Sequence, residues 1–433
     1  MATPLSAHHR SFRKATILAI GVLVVLLVSM AASVALLRSS TVRDHLPAWG
    51  IWLAIVSSTA VLSLLSAYAA LVAVGGLIVL YRDSCEEHGV PYTPTRPRER
   101  MVGPMTAAIR RAIRPGARWC PGETVEVRSL PEILATLDER GCLDGMPFMP
   151  EMAKYCGHCF QVHRRVDKVW EYAHGTSLRR VRDAVLLKTL RCDGQSHGGC
   201  QARCQLIWKE AWLRRPGAQV STAPGAGPHL DLDAHTQVSV DGERRYVCQM
   251  TEIIRASTQL SQRDPRHYWR DLVGGNVRLA PLLVVLSVRL FNGVHWRLGG
   301  TLWPVLKPLE SDSSPHRELG LQPGQLVRVR SKHAIESTLN RKLRNRGLEF
   351  GTDMLFCCGG SYRVAARVDR IIDERTGELL VLKTPSNLLE GAHANGGTVL
   401  TPQNEFFFWR EIWLEPQPAL TELESVAEQE SVR

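Results

Sequence analysis

Two long stretches of the chain carry no charged residue at all. Residues 15–37 run for 23 positions without Asp, Glu, Lys, Arg or His, and residues 49–81 run for 33 more. About 20 apolar residues suffice to cross a hydrocarbon core of roughly 30 Å, so the pattern predicts two membrane helices joined as a hairpin. A cleaved signal peptide is the competing reading of the first run, since His8, His9, Arg10, Arg13 and Lys14 precede it. Its apolar core exceeds the usual span of roughly 7–15 residues, and a second run follows almost at once. The second run is longer than a span needs, which implies tilt or continuation beyond the bilayer. Its small residues (Ser57, Ser58, Ser63, Ser66, Ala67, Ala69, Ala70) allow a neighbouring helix to approach closely.

Beyond residue 120 the pattern changes to short segments. Val125, Val127 and Ser129 alternate with polar positions after a Pro121-Gly122 turn, as in a half-buried strand. Ile133, Leu134 and Leu137 have helical spacing and stop at Gly141. Phe160, Val162 and Val166 predict another strand, as do residues 185–190. The same order returns 202 residues later. From 121–168 against 323–370, 18 of 48 positions are identical without a gap. Average residue usage would give about three. The ends also agree: Trp208-Lys209-Glu210-Ala211-Trp212-Leu213 matches Trp409-Arg410-Glu411-Ile412-Trp413-Leu414 after a one-residue slip. Several short strands in so few residues predict a small, bent sheet, an SH3-like barrel of α+β character, present twice. The paired tryptophans read as core anchors.

The expected organisation is a tail (1–14), a transmembrane hairpin (15–81), a basic juxtamembrane segment (82–119), a first module (120–215), a linker region (216–320), a second module (321–415) and an acidic, disordered tail (416–433). The linker contains an apolar stretch, 279–290, bounded by Arg278 and interrupted by Arg289. It is too short to span and predicts a core or membrane-surface helix.

Charge adds the orientation. The net charge is +11, and seven arginines (Arg96, Arg98, Arg100, Arg110, Arg111, Arg114, Arg118) crowd the stretch after the second apolar run. Without interleaved aromatics this fits anionic lipid rather than nucleic acid. The loop between the runs holds only Arg38 and Arg43 among its basic residues, so the positive-inside rule places both ends in the cytoplasm. An inner-membrane protein with cytoplasmic modules follows, contacting lipid through residues 15–81 and a protein partner through a docking module.

In that compartment thiols stay reduced, and the cysteine pattern acquires meaning. Of eleven cysteines, Cys192, Cys200 and Cys204 share one window with His197, spaced C-x4-H-x2-C-x3-C among glycines 194, 198 and 199. Three thiolates and an imidazole complete a tetrahedral zinc shell, with Cys156 as a structural thiol or as a substitute or additional ligand. An iron–sulfur cluster and unliganded core thiols are the alternatives. The second module lacks this cluster, since Ala394 stands opposite Cys192. Cys156-Gly157-His158-Cys159 matches the dithiol string of disulfide isomerases, but a strand rather than a helix follows it. No phosphate-binding loop, nucleophile elbow or HExxH string is present, so no reaction is named.

The strings 143–152 (Leu143 to Met152), Arg191-Cys192-Asp193-Gly194, His197-Gly198-Gly199-Cys200-Gln201 and Trp208-Lys209-Glu210-Ala211-Trp212-Leu213 resemble an uncharacterised bacterial family found among polysaccharide or secondary-metabolite genes. The resemblance covers about residues 120–415. It implies a Cys/His cluster in the second module too, which this chain has lost. The expected function is a membrane-anchored accessory or binding protein with a structural zinc site. The alternative is a redox or maturation enzyme using an iron–sulfur cluster or reactive thiols.

Overall fold

The computed structural model describes residues 7–37, 48–87, 119–171, 177–218, 231–262, 264–394, 401 and 404–418. The arginine-rich stretch up to residue 118, most of the Pro/Gly-rich linker and the acidic tail beyond 418 lie outside them. The chain divides into two compact units, one of residues 1–92 with 279–307 and one of residues 93–278 with 308–433.

The first unit is helical. The uncharged runs form α1 (Ala7–Leu37) and α2 (Ala48–Glu87). The stretch expected to be a short helix forms one of 19 residues, Leu279–Arg297, continuing through Arg289 to His295 and Arg297. Three helices are therefore long and apolar enough to cross a membrane, where two were expected. The length estimate failed because it ended at the first internal arginine, although one charge does not stop a helix. Small residues do set the packing here: a Cβ added at Gly75 would lie 2.1 Å from the Ser287 carbonyl oxygen, and one at Gly76 would lie 2.3 Å from Thr16 Oγ1. Polar side chains tie the helices at one level. His9 Nδ1 lies 3.1 Å from Asp83 Oδ2, and Ser11 Oγ lies 2.9 Å from His295 Nε2.

The second unit holds two β-rich regions built on half-barrel sheets. In the first, β1 (Thr124–Val127) is followed by a short helix, α3 (Leu130–Leu134), opened by a capping box between Ser129 and Glu132. β2 (Cys159–Arg165) pairs with β1; β3 (Val169–Glu171) and β4 (Ser177–Val181) then leave the sheet. β5 (Ala184–Arg191), β6 (Gln205–Lys209) and β7 (Leu213–Arg214) complete it, in the order β6-β5-β2-β1-β7. β3 and β4 instead form a separate sheet with β8 (Ser257–Gln259). Helix α4 (Arg266–Gly274), before the apolar helix α5 (Leu279–Arg297), packs on this region through a buried ion pair, Lys168 Nζ to Asp271 Oδ2 at 2.5 Å.

The second region repeats the strand register. β9 (Leu326–Val329) pairs with β10 (Ser361–Ile372) as Leu326 with Arg363, and β1 pairs with β2 as Thr124 with Gln161, both partners shifted by 202. α6 (Lys332–Glu336) takes the place of α3. β11 (Leu379–Leu389) and β12 (Leu414–Pro416) give the order β11-β10-β9-β12. The hydrophobic pattern thus located β1, β2 and β5 but not β3, β4 or β8, and the helix after each first strand is shorter than its apolar spacing suggested. Each Trp-rich end is a 3-10 turn (Glu210–Trp212 and Glu411–Trp413) followed by a closing strand. Trp208, Trp212, Trp409 and Trp413 are fully buried core residues.

The regions differ in one hairpin. β10 and β11 pair, through two register shifts, out to Ile372 with Leu379, whereas β2 and β5 pair only as far as Arg165 with Val185. The long hairpin of the second region reaches the cysteine loop of the first.

Candidate metal centre

The loop 192–204 connects β5 to β6. Its base is closed by the Cys192 amide donating to the Cys204 carbonyl at 2.9 Å. Within it the Gly194 carbonyl accepts from the His197 amide at 3.2 Å and the Gly199 amide at 2.9 Å. Gly194 has φ of 73°, and a Cβ there would sit 1.9 Å from the Cys200 carbonyl oxygen. No other residue fits that close approach.

This folding brings Cys192 Sγ to 3.2 Å from His197 Nε2. A third group joins them from the 3-10 turn Pro150–Tyr155: Glu151 Oε1 lies 3.4 Å from Cys192 Sγ and 3.8 Å from His197 Nδ1. Ser196 Oγ hydrogen-bonds the other Glu151 oxygen, and Lys154 pairs with Asp193 at 2.6 Å. The ligand atoms of Glu151, Cys192 and His197 all lie within 4.8 Å of one another, a buried cluster that could hold a metal ion.

Of the five residues the sequence singled out, the structure therefore joins Cys192 and His197 and adds Glu151. Cys200 and Cys204 stand outside that trio but line the same cavity, of about 40 Å³, together with Cys248 from the linker. Cys156 lies elsewhere, at the end of the 3-10 turn and packed on the first core, where burial pushes its thiol up to about 11. Cys159 is exposed at the start of β2. All ten cysteines described beyond the helices are free thiols. Glu151 was missed because a single carboxylate has no spacing signature. Its counterpart Asp353 hints at a shared acidic position. Cys248 was missed because 44 residues separate it from Cys204 (248 less 204), so only the fold unites them.

The electrostatics are those of a dry site. Burial, and then Glu151 and Cys248, push the Cys192 thiol far up; burial likewise holds Cys200 and Cys204 high and raises Cys248 to about 12. Against this, nearby backbone amides pull the thiols down (Gly194 at Cys192, Ala202 and Ile372 at Cys200, Met250 and Thr251 at Cys248), and the Ile372 amide donates to Cys200 Sγ at 3.4 Å. Such bonds stabilise thiolate, the form that binds metal. Burial lowers the pKa of His197 despite Glu151 and Asp193, which favours the neutral, metal-binding imidazole. Glu374 and Glu405 are pushed up to about 7, first by burial.

The long hairpin seals the site. The Gln201 side-chain oxygen accepts from the Asp369 amide at 2.6 Å and the Arg370 amide at 3.1 Å, while its own amide donates to the Arg370 carbonyl at 3.1 Å. Arg191 Nη2 donates to the Asn404 carbonyl at 2.6 Å, and its guanidinium lies over the Phe406 ring. Tyr246 donates to the Gly377 carbonyl at 2.7 Å, and Arg245 pairs with Glu378. Three segments distant in sequence thus meet at the thiols. Searches found no matching family model, no matching curated protein and no matching solved structure.

Proposed function

We propose that the protein is a membrane-anchored accessory or binding protein whose soluble unit is assembled around a thiolate metal centre. The observation that carries this is the buried approach of Cys192, His197 and Glu151, with further thiols on the same cavity wall. Buried ionisable groups collected in one place are costly unless something neutralises them, and a metal cation does so. The two β-rich regions are read as duplicated SH3-like modules, of which the second has lost its own cluster and serves to cover the first.

Two occupants suit the donors. A single zinc ion would use Glu151, Cys192 and His197, with Cys200 or Cys204 turning in as a fourth ligand. An iron–sulfur cluster would use the thiols, and four cysteines around one cavity favour it. With such a cluster the protein would belong to a redox or maturation step rather than serve as a passive scaffold. Either way the chain's own part is to hold the centre dry and to supply amide hydrogen bonds to its sulfurs. Metal analysis of the full chain, purified in detergent under reducing, anaerobic conditions, is expected to find at least about one equivalent of transition metal, strongly diminished in Cys192→Ser. Wild-type protein with less than about a tenth of an equivalent would end the metal reading.

The anchor is read as cytoplasmic-membrane, with the soluble unit in the cytoplasm. Residues on both sides of 279–307 belong to the same unit, which favours reading α5 as an embedded helix that does not cross, with α1 and α2 as the crossing pair. Cysteine labelling of intact cells should reach introduced sites at 40 but neither 242 nor 375. Labelling at 375 alone would overturn this topology.

A further inference from the structure

We propose that Cys192, Cys200, Cys204 and Cys248 bind a polynuclear iron–sulfur cluster in the cavity between the two regions. This rests on the metal reading above and names the occupant. Two ligands of one tetrahedral zinc, each at about 2.3 Å, lie roughly 3.8 Å apart. Among the described residues the only trio of candidate ligand atoms all within 4.8 Å is Glu151, Cys192 and His197. No three of the four thiols therefore meet the single-ion spacing, although all four face one cavity. Thiolates that ring a space too widely for one ion are placed as cluster ligands are, each on a different metal atom.

The local backbone agrees. The Ile372 amide donates to Cys200 Sγ at 3.4 Å, across the contact with the long hairpin, and backbone amides of Gly194, Ala202 and Met250 beside Cys192, Cys200 and Cys248 favour their thiolates. Amide bonds to sulfur are among the means by which a protein tunes a cluster. The remaining wall mixes apolar residues (Met149, Leu206, Met250 and Ile372) with polar ones, among them Arg203, Gln249 and Glu374. Arg191 lies near Cys204 and can offset the cluster's negative charge. In this arrangement Glu151 and His197 stay beside the Cys192 sulfur without being iron ligands, and with Cys192 a thiolate the bond to Glu151 requires a protonated carboxyl that donates to the sulfur.

The test uses the full chain, purified anaerobically in detergent. The expected result is a brown protein absorbing near 400 nm, with iron and acid-labile sulfide in equal amounts and more than one of each per chain. Cys248→Ser should lower iron below about a tenth of wild type, whereas Cys142→Ser, at a buried thiol away from the cavity, should leave it unchanged. A colourless protein with one zinc that survives Cys248→Ser would overturn the cluster and keep the metal reading. No metal of any kind would overturn both. A cluster retained in Cys248→Ser would refute the ligand assignment. Because the wild-type iron and sulfide content decides the cluster alone, a misfolded variant leaves the question answerable.

Discussion

Asp271→Ala is expected to destabilise the soluble unit by about 3–5 kcal/mol, because it strands a buried lysine. Lys168 and Asp271 are each about 1% exposed and pair at 2.5 Å, with the ammonium 5.0 Å from the Tyr268 ring centroid. Burial pushes the Asp271 carboxyl up while Lys168 pulls it down, so the ion pair exists only against a desolvation cost. The damage should spread. Asn276 Nδ2 donates to Asp271 at 3.1 Å, and the same side chain brackets Arg165, accepting from its amide at 2.8 Å and donating to its carbonyl at 2.9 Å. Arg165 in turn carries Asp167 and Glu210. Replacing both partners together, as Lys168→Met with Asp271→Leu, should recover most of the loss, since two apolar groups need no compensation. Denaturant titration followed by tryptophan fluorescence measures both. A single-variant loss below about 1 kcal/mol would mean that water reaches Lys168.

The second large effect should appear twice. Trp212→Ala and Trp413→Ala are each expected to cost about 3–5 kcal/mol. Trp212 Nε1 donates to Thr136 Oγ1 at 3.1 Å and Trp413 Nε1 to Thr338 Oγ1 at 2.9 Å. Phe148 meets Trp212 edge-on at 5.2 Å, and Phe350 meets Trp413 at 5.1 Å. Equivalent surroundings predict equivalent losses, whereas Val381→Ala, 75% exposed, should move stability by less than about 0.5 kcal/mol. A marked inequality between the tryptophan variants would show that the two cores are not energetically alike.

How much of this was legible follows from the range of each signal. Period-two alternation at Val125 and Val127 is local, and it revealed a strand that exists. The 202-residue offset carried the β1–β2 register onto β9–β10, because a duplicated pattern copies its pairing. The cysteine window disclosed Cys192 and His197, since glycine-rich turns bring near neighbours together. It could not disclose Glu151 or Cys248, which reach the cavity through the fold. Cys156 was drawn in by a familiar spacing, but the 3-10 turn before it directs the residue to the first core. Length also misled at Arg289, where the side-chain charge was given more weight than the continuing apolar pattern on either side.

The Gln201 clamp has a thermodynamic corollary. Tandem repeats that touch only their neighbours tend to unfold in parts, each with its own midpoint. Here a side chain of one region occupies the backbone of the other, and a sulfur accepts an amide hydrogen across the same seam. The two halves are then a single cooperative block, and heating should give one transition whose enthalpy matches the combined size of both. Either region expressed alone would leave amides and thiols open to water that are now enclosed. Through one lengthened hairpin the two β-rich regions are expected to unfold as a unit that cannot be halved.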